Sequence, residues 1–138
     1  MFVRELFGIM INMQSKDYAG WHAMKLLLNA TSETRYYRER EVWWTAIGLN
    51  IGFEEDGKRG KYSRPVVVLC KFNPYFFYGV PLSTTKKAGR YYGVVFLERV
   101  TRKVLLTQVR AFDAIRLLDQ VGIVRSDDYK KICSQIGD

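Results

Sequence analysis

The sequence predicts a mainly β protein, a small barrel with helices attached. Five short runs rich in β-branched and aromatic residues lie between positions 41 and 112, separated by Gly, Pro, Asn and Ser signals. Helical spacing appears only on either side of them. At 138 residues the chain has the length of one domain with one core. The expected division is an N-terminal extension, 1–38, holding one helix packed on the barrel, and a barrel domain, 39–138.

Residues 15–29 read as a helix, with Ser15 as its cap and Tyr18, Trp21 and Leu28 recurring on one face. Glu41 to Ile47 is a first strand, too short for a stable helix and rich in strand formers. Trp43 and Trp44 adjoin on it, so they point to opposite faces; one belongs to the core and the other faces an interface or a base. A long polar loop rich in glycine and charge follows, from Gly48 to Ser63.

Arg64 to Cys70 is a buried strand opened by Pro65, a position where proline is tolerated. Asn73-Pro74 turns the chain into a third strand, Tyr75 to Leu82, which ends at Ser83-Thr84-Thr85. Tyr91–Glu98 and Lys103–Phe112 form two more strands, joined by a polar turn at Arg99–Arg102. Tyr91, Tyr92 and Phe76 are expected in the core. A short helix is expected around Asp113–Leu118. A better one starts at Ser126, its N-cap, with Asp127 and Asp128 complementing the helix dipole.

Composition narrows the function. Apolar residues make up 48% and no apolar run approaches the ~20 residues of a membrane span, so a membrane partner is not expected. The apolar stretch Phe7–Met13 is short and lacks a small-residue cleavage site, which argues against a signal peptide. Cys70 and Cys133 have no CxxC spacing and only His22 for company, which excludes a zinc knuckle and fits a reducing cytoplasm. Both are expected to be buried small hydrophobes, and His22 a surface or structural residue. No cofactor or metal is expected.

The net charge is +8 and unevenly placed. Residues 83–103 hold Lys86, Lys87, Arg90, Arg99, Arg102 and Lys103 against Glu98 alone, whereas 108–138 is neutral. Arg35 to Arg40 mixes bases with tyrosines. Cations beside aromatic rings suit single-stranded nucleic acid, since they neutralise phosphates while the rings stack on bases.

With one histidine and no Walker or dinucleotide loop, a hydrolase must work with arginine, hydroxyls and a carboxylate. RNA cleavage fits that inventory, because the ribose 2′-OH itself attacks the phosphate and the protein supplies charge stabilisation and proton transfer. Arginine offers a planar fork to phosphate oxygens. If strands 64–70 and 75–82 pair as a hairpin, Arg64 at the start of one lies beside Ser83 and Thr84 at the end of the next.

The succession Glu41-Val42-Trp43-Trp44, Gly48 to Lys58, Arg64-Pro65-Val66-Val67-Val68-Leu69, Gly79-Val80-Pro81-Leu82-Ser83-Thr84-Thr85 and Leu105 to Asp113 resembles the PemK/MazF family of type II toxin–antitoxin toxins. The match covers about 39–137. It implies an SH3-like barrel, usually a homodimer, that cleaves single-stranded RNA sequence-selectively and without metal to leave a 2′,3′-cyclic phosphate and a 5′-OH, and that a cognate antitoxin inhibits. Arg64 matches the family's catalytic arginine. Ser83 stands where a catalytic threonine is usual, with Thr84 as a substitute beside it. Glu54 matches a loop carboxylate proposed as base, with Glu55 or Asp56 as alternatives. Thr107 replaces an aspartate that some members carry just before the glutamine matched by Gln108, which would shape the site or contact RNA. Lys86, Lys87, Arg90 and Lys58 are the candidate RNA contacts. Two alternatives stand beside this: a barrel of the same fold that binds a protein target, as related gyrase poisons do, and a catalytically silent nucleic-acid-binding or antitoxin-titrating homologue.

Overall fold

A computed structural model describes residues 16–30, 35–48 and 62–137. The order is α1 (Tyr18–Ala30), β1 (Glu41–Ala46), β2 (Ser63–Asn73), β3 (Phe76–Ser83), β4 (Tyr92–Leu97), β5 (Val100–Leu105), β6 (Arg110–Asp113), β7 (Leu117–Ile123) and α2 (Ser126–Gly137), with single 3-10 turns at Leu106–Gln108 and Ala114–Arg116. All pairings are antiparallel, in the order β4-β5-β3-β2-β1-β7, with β6 also on β3. Among the described residues the sheet does not close by hydrogen bonds, but it curls until its ends approach: a Cβ added at Gly122 on β7 would lie 3.1 Å from Leu97 Cδ1 on β4. The result is the small barrel-like β fold expected.

The continuous apolar run of β2 is explained by burial on both faces. Val67 and Leu69 join Val42, Val80, Leu82, Val95, Leu97, Val104 and Ile132 in one core. Val66 and Val68 face the other way, with Tyr37, Trp43, Phe77, Phe112 and Leu117. Alternation on a pleated strand produces both sets, and a strand covered twice reads as unbroken hydrophobicity. Tyr129, Ile132 and Ile136 on α2 lie on one helical stripe against the first core, so the neutral tail packs.

Several expectations are corrected. The run 103–112 is two strands: β5 pairs with the end of β3 at Leu82 and Ser83, and β6 with its beginning at Phe76–Gly79. The 3-10 turn between them lets the chain pass from one half of β3 to the other. The β4–β5 connection is a two-residue turn, Glu98-Arg99, with φ of 50° and 65°. Two positive φ values match the strand twist of a tight hairpin, so Arg102 lies on β5 and not in the turn. The helix expected at Asp113–Leu118 is one 3-10 turn, capped where the Asp113 carboxylate accepts from the Ile115 N–H at 3.0 Å, and it leads into the unforeseen strand β7.

Phe76 and Tyr91 are exposed and Tyr92 is half-buried; on β3 it is Phe77, one residue along, that points inward. Cys133 is exposed and Cys70 half-buried, because the inward stripe of α2 runs through Ile132. In 35–40, Tyr37 is fully buried and its hydroxyl donates to the Asn73 and Phe76 carbonyls at 2.7 and 3.1 Å. Arg40 donates to the Val124 carbonyl through Nε and Nη2. Only Tyr36 of that pair of tyrosines remains exposed, so the segment is largely structural. His22 is exposed on α1.

Helix α1 meets the barrel through Trp21, which is buried beside Tyr62 at 5.7 Å between ring centroids. The Tyr62 hydroxyl donates to Asp17 at 2.7 Å, and Asp17 also accepts from the Gly20 N–H. These two donors hold the Asp17 carboxyl below its ordinary pKa. Gly48, with φ +78°, accepts the Trp21 indole where any Cβ would overlap it. The Gly48 N–H donates to the Tyr62 carbonyl at 2.8 Å. Ser15, Glu54 and Lys58 lie outside the described residues. Among the described residues no helix is long and apolar enough to cross a membrane.

Candidate functional site

β2 begins and β3 ends at the same edge of the hairpin. The register pairs Val66 with Pro81, and continuing it two residues sets Arg64 opposite Ser83. On the other side Arg64 pairs with Thr45 of β1. Arg64 is 6% exposed, and its Nη1 donates to the Leu82 carbonyl at 3.1 Å. That bond fixes the guanidinium against the end of β3. Burial leaves its charge poorly screened, which strengthens its pull on an anion.

Ser83 is half-buried and pairs with Lys103. Its Oγ accepts from the Thr85 N–H at 3.1 Å, and the Thr85 hydroxyl accepts from the Lys87 N–H at 3.2 Å. Two successive hydroxyl turns therefore shape the chain as it leaves β3. With its oxygen accepting from Thr85, Ser83 presents its O–H as a donor.

Arg64, Ser83 and Thr84 line one cleft of about 490 Å³. Its floor includes Trp44 of β1 and Pro65 of β2, which are register partners. One wall is Asp119, Gln120 and Val121 of β7; the other is Leu82 with Leu97, Glu98 and Arg102 of the β4–β5 hairpin. Gln120 is anchored by its Nε2 on Glu41 at 3.2 Å. Trp43 sits in the core with its indole N–H on Glu41, so Trp44 is the tryptophan of the cleft.

The sequence-predicted residues are thus partly gathered. Arg64, Ser83 and Thr84 come together; Lys86, Lys87 and Arg90 follow on the exposed stretch after Thr84. Gln108 closes a 3-10 turn and does not line the cleft, and Thr107 beside it is exposed. Glu98, Arg102, Asp119 and Gln120 were not singled out as site residues. Glu98 had a signal, as the lone acid in a basic stretch; Asp119 had none, because β7 itself was not foreseen. Among the described residues no cluster of His, Cys, Asp and Glu could hold a metal ion.

The fold is thus a small antiparallel barrel-like sheet whose cleft brings a buried arginine to a strand-end hydroxyl. The family model for the PemK-like, MazF-like toxins of type II toxin–antitoxin systems matches residues 38–138, and the chain belongs to that family. Among solved structures, MazF from Deinococcus radiodurans superposes with a TM-score of 0.61 at 17% identity, over 75% of this chain and 96% of that one. The MazE–MazF complex from the same organism gives 0.56 at 18% identity, over 75% and 94%. An endoribonuclease from a mycobacterial species in complex with its cognate antitoxin gives 0.55 at 14%, over 74% and 92%. At these identities the likeness is one of fold. No curated protein matches by sequence.

Proposed function

We propose that this chain is a toxin endoribonuclease that cleaves single-stranded RNA. The observation that carries the proposal is the buried Arg64 facing the strand-end hydroxyl of Ser83 in one cleft, in a chain of the toxin family.

In the proposed reaction the ribose 2′-oxygen attacks the adjacent phosphorus and loses its proton. The P–O5′ bond breaks and the departing O5′ takes up a proton. The products are a 2′,3′-cyclic phosphate and a 5′-OH, with no water consumed. Arg64 stabilises the negative charge on the phosphorane through a fixed, poorly screened guanidinium. Ser83 donates its O–H to a phosphate oxygen or to the leaving O5′, and Thr84 is its neighbour in the cleft. Glu54, in the segment that joins β1 to β2, is the proposed proton acceptor. Lys86, Lys87, Arg90 and Lys58 hold the RNA backbone. No metal enters the scheme. In this reading the protein acts as a homodimer neutralised by a cognate antitoxin, which family membership and the likeness to a MazE–MazF complex support.

The test is incubation of purified protein with a transcript pool in a chelator, with the new ends mapped chemically. Cleavage that leaves cyclic phosphate and 5′-OH ends, and is absent in Arg64→Ala, is expected. Folded wild-type protein that leaves every transcript intact would overturn the proposal.

A further inference from the structure

The cleft is larger than a phosphate needs and is divided in character. Trp44, Pro65, Leu82, Leu97 and Val121 supply apolar surface, while Glu98, Asp119 and Gln120 supply oxygen acceptors at its rim. The two carboxylates make no hydrogen bond or ion pair with another described residue. An aromatic ring beside acceptors fits a nucleobase: its face stacks on the ring, and its edge donates to the oxygens.

We propose that this half of the cleft is a base-selecting subsite, in which Trp44 stacks one nucleobase next to the scissile phosphate and Asp119 accepts from its Watson–Crick edge. The base is guanine. A carboxylate accepts two parallel hydrogen bonds, and guanine presents two adjacent donors, N1–H and the N2 amino group, on that edge. Uracil offers a single donor on that edge, N3–H, flanked by two carbonyl oxygens that the carboxylate repels, so it pairs more weakly. Gln120, held through its amide nitrogen by Glu41, keeps its carbonyl oxygen as a further acceptor. Trp44 and Asp119 lie on neighbouring strands, because β1 pairs with β7 as well as with β2. The β1–β7 register shifts between Val42 and Trp43 and again between Trp43 and Thr45, an irregularity at the position of Trp44 itself. Such irregularities re-aim side chains. The subsite rests on the ribonuclease reading for its phosphate, but not for its affinity for a base.

Two measurements separate the two readings. In the first, cleavage sites of the wild type, Asp119→Asn and Trp44→Ala are mapped on a randomised RNA pool. Guanine enriched at one position in the wild type and lost in Asp119→Asn, with KM raised about tenfold or more in Trp44→Ala and restored by Trp44→Phe, supports the subsite. Cleavage without base enrichment, or enrichment untouched by both substitutions, overturns it and leaves the ribonuclease reading standing. In the second, tryptophan fluorescence is titrated with short oligonucleotides made uncleavable by 2′-deoxy sugars. Tighter binding of the guanine oligomer than of the uracil one, weakened in Trp44→Ala, supports the subsite even if the wild type cuts nothing. Equal binding of the two overturns it.

Discussion

Arg64 Nη1 donates to the Leu82 carbonyl at 3.1 Å, so the first charged residue of β2 is tied to the residue just before Ser83 on β3. The β2–β3 register sets the cation and the hydroxyl donor at a common edge, and both line the cleft.

Arg64→Ala removes a buried, oriented guanidinium, and cleavage is expected to fall about 100-fold or more in kcat. Arg64→Lys keeps the charge but not the fork and should recover only a fraction of the rate. Single-turnover kinetics on a short RNA check both, with circular dichroism to confirm folding.

Ser83→Ala removes both the donor and the oxygen that accepts from Thr85, whereas Ser83→Thr keeps both. The alanine variant should lose about tenfold to 100-fold in rate while the threonine variant stays within a few fold of wild type. A Thr84→Ala loss equal to that of Ser83→Ala would instead give the donor role to Thr84.

Lys86, Lys87 and Arg90 lie exposed on the stretch that leaves the cleft. Replacing each with Gln should weaken RNA binding about equally for all sequences. It should also reduce the slope of log K against log salt by about 0.7 for each phosphate that the protein no longer neutralises. Affinity measured at four or five salt concentrations gives the slope.

Gly48 has φ +78° and no room for a Cβ under the Trp21 indole. Gly48→Ala should cost about 2 kcal/mol or more, from the left-handed backbone and the overlap together. In a Trp21→Ala background the same substitution should cost less, since the indole is gone. Urea unfolding of the four proteins of this cycle measures the coupling.

Tyr129 donates to the Leu69 carbonyl, and burial, helped by the neighbouring Cys133, pushes its pKa up to about 12 from 10.0. A raised folded-state pKa means the folded protein holds this proton more tightly than the unfolded chain. The contribution is therefore complete below pH 10 and lost as pH rises toward 12. Tyr129→Phe should cost about 1 kcal/mol at pH 8 and flatten the loss of stability between pH 10 and 12. Denaturant midpoints across that range test it.

The strands that carry Arg64 and Ser83 were legible because their signals are local. A proline after the arginine, an apolar run covered on both faces and a hydroxyl cluster at a strand end each constrain the chain within a few residues. Trp43 and Trp44 show where that ends: alternation separates them but cannot say which face meets the core. The Val66 and Phe77 side chains decide it by enclosing Trp43. β7 escaped because Leu117–Ile123 holds a glycine and two polar residues at its centre, and it becomes a strand by pairing with β1, some 75 residues earlier. The single run expected at 103–112 broke for a similar reason, as one half pairs with the end of β3 and the other with its start.

Taken alone, the sequence determined the β character, the hairpin that joins Arg64 to Ser83, the concentration of basic charge after Ser83 and the family. These follow from backbone sterics, side-chain periodicity and the order of short motifs. Tertiary structure alone decided that Trp44 faces the cleft, that Asp119 and Glu98 rim it, and that α1 is seated on Gly48 and Tyr62. Those relationships join residues far apart in the chain, and only the curl of the sheet and the close packing of its two cores determine which of them meet.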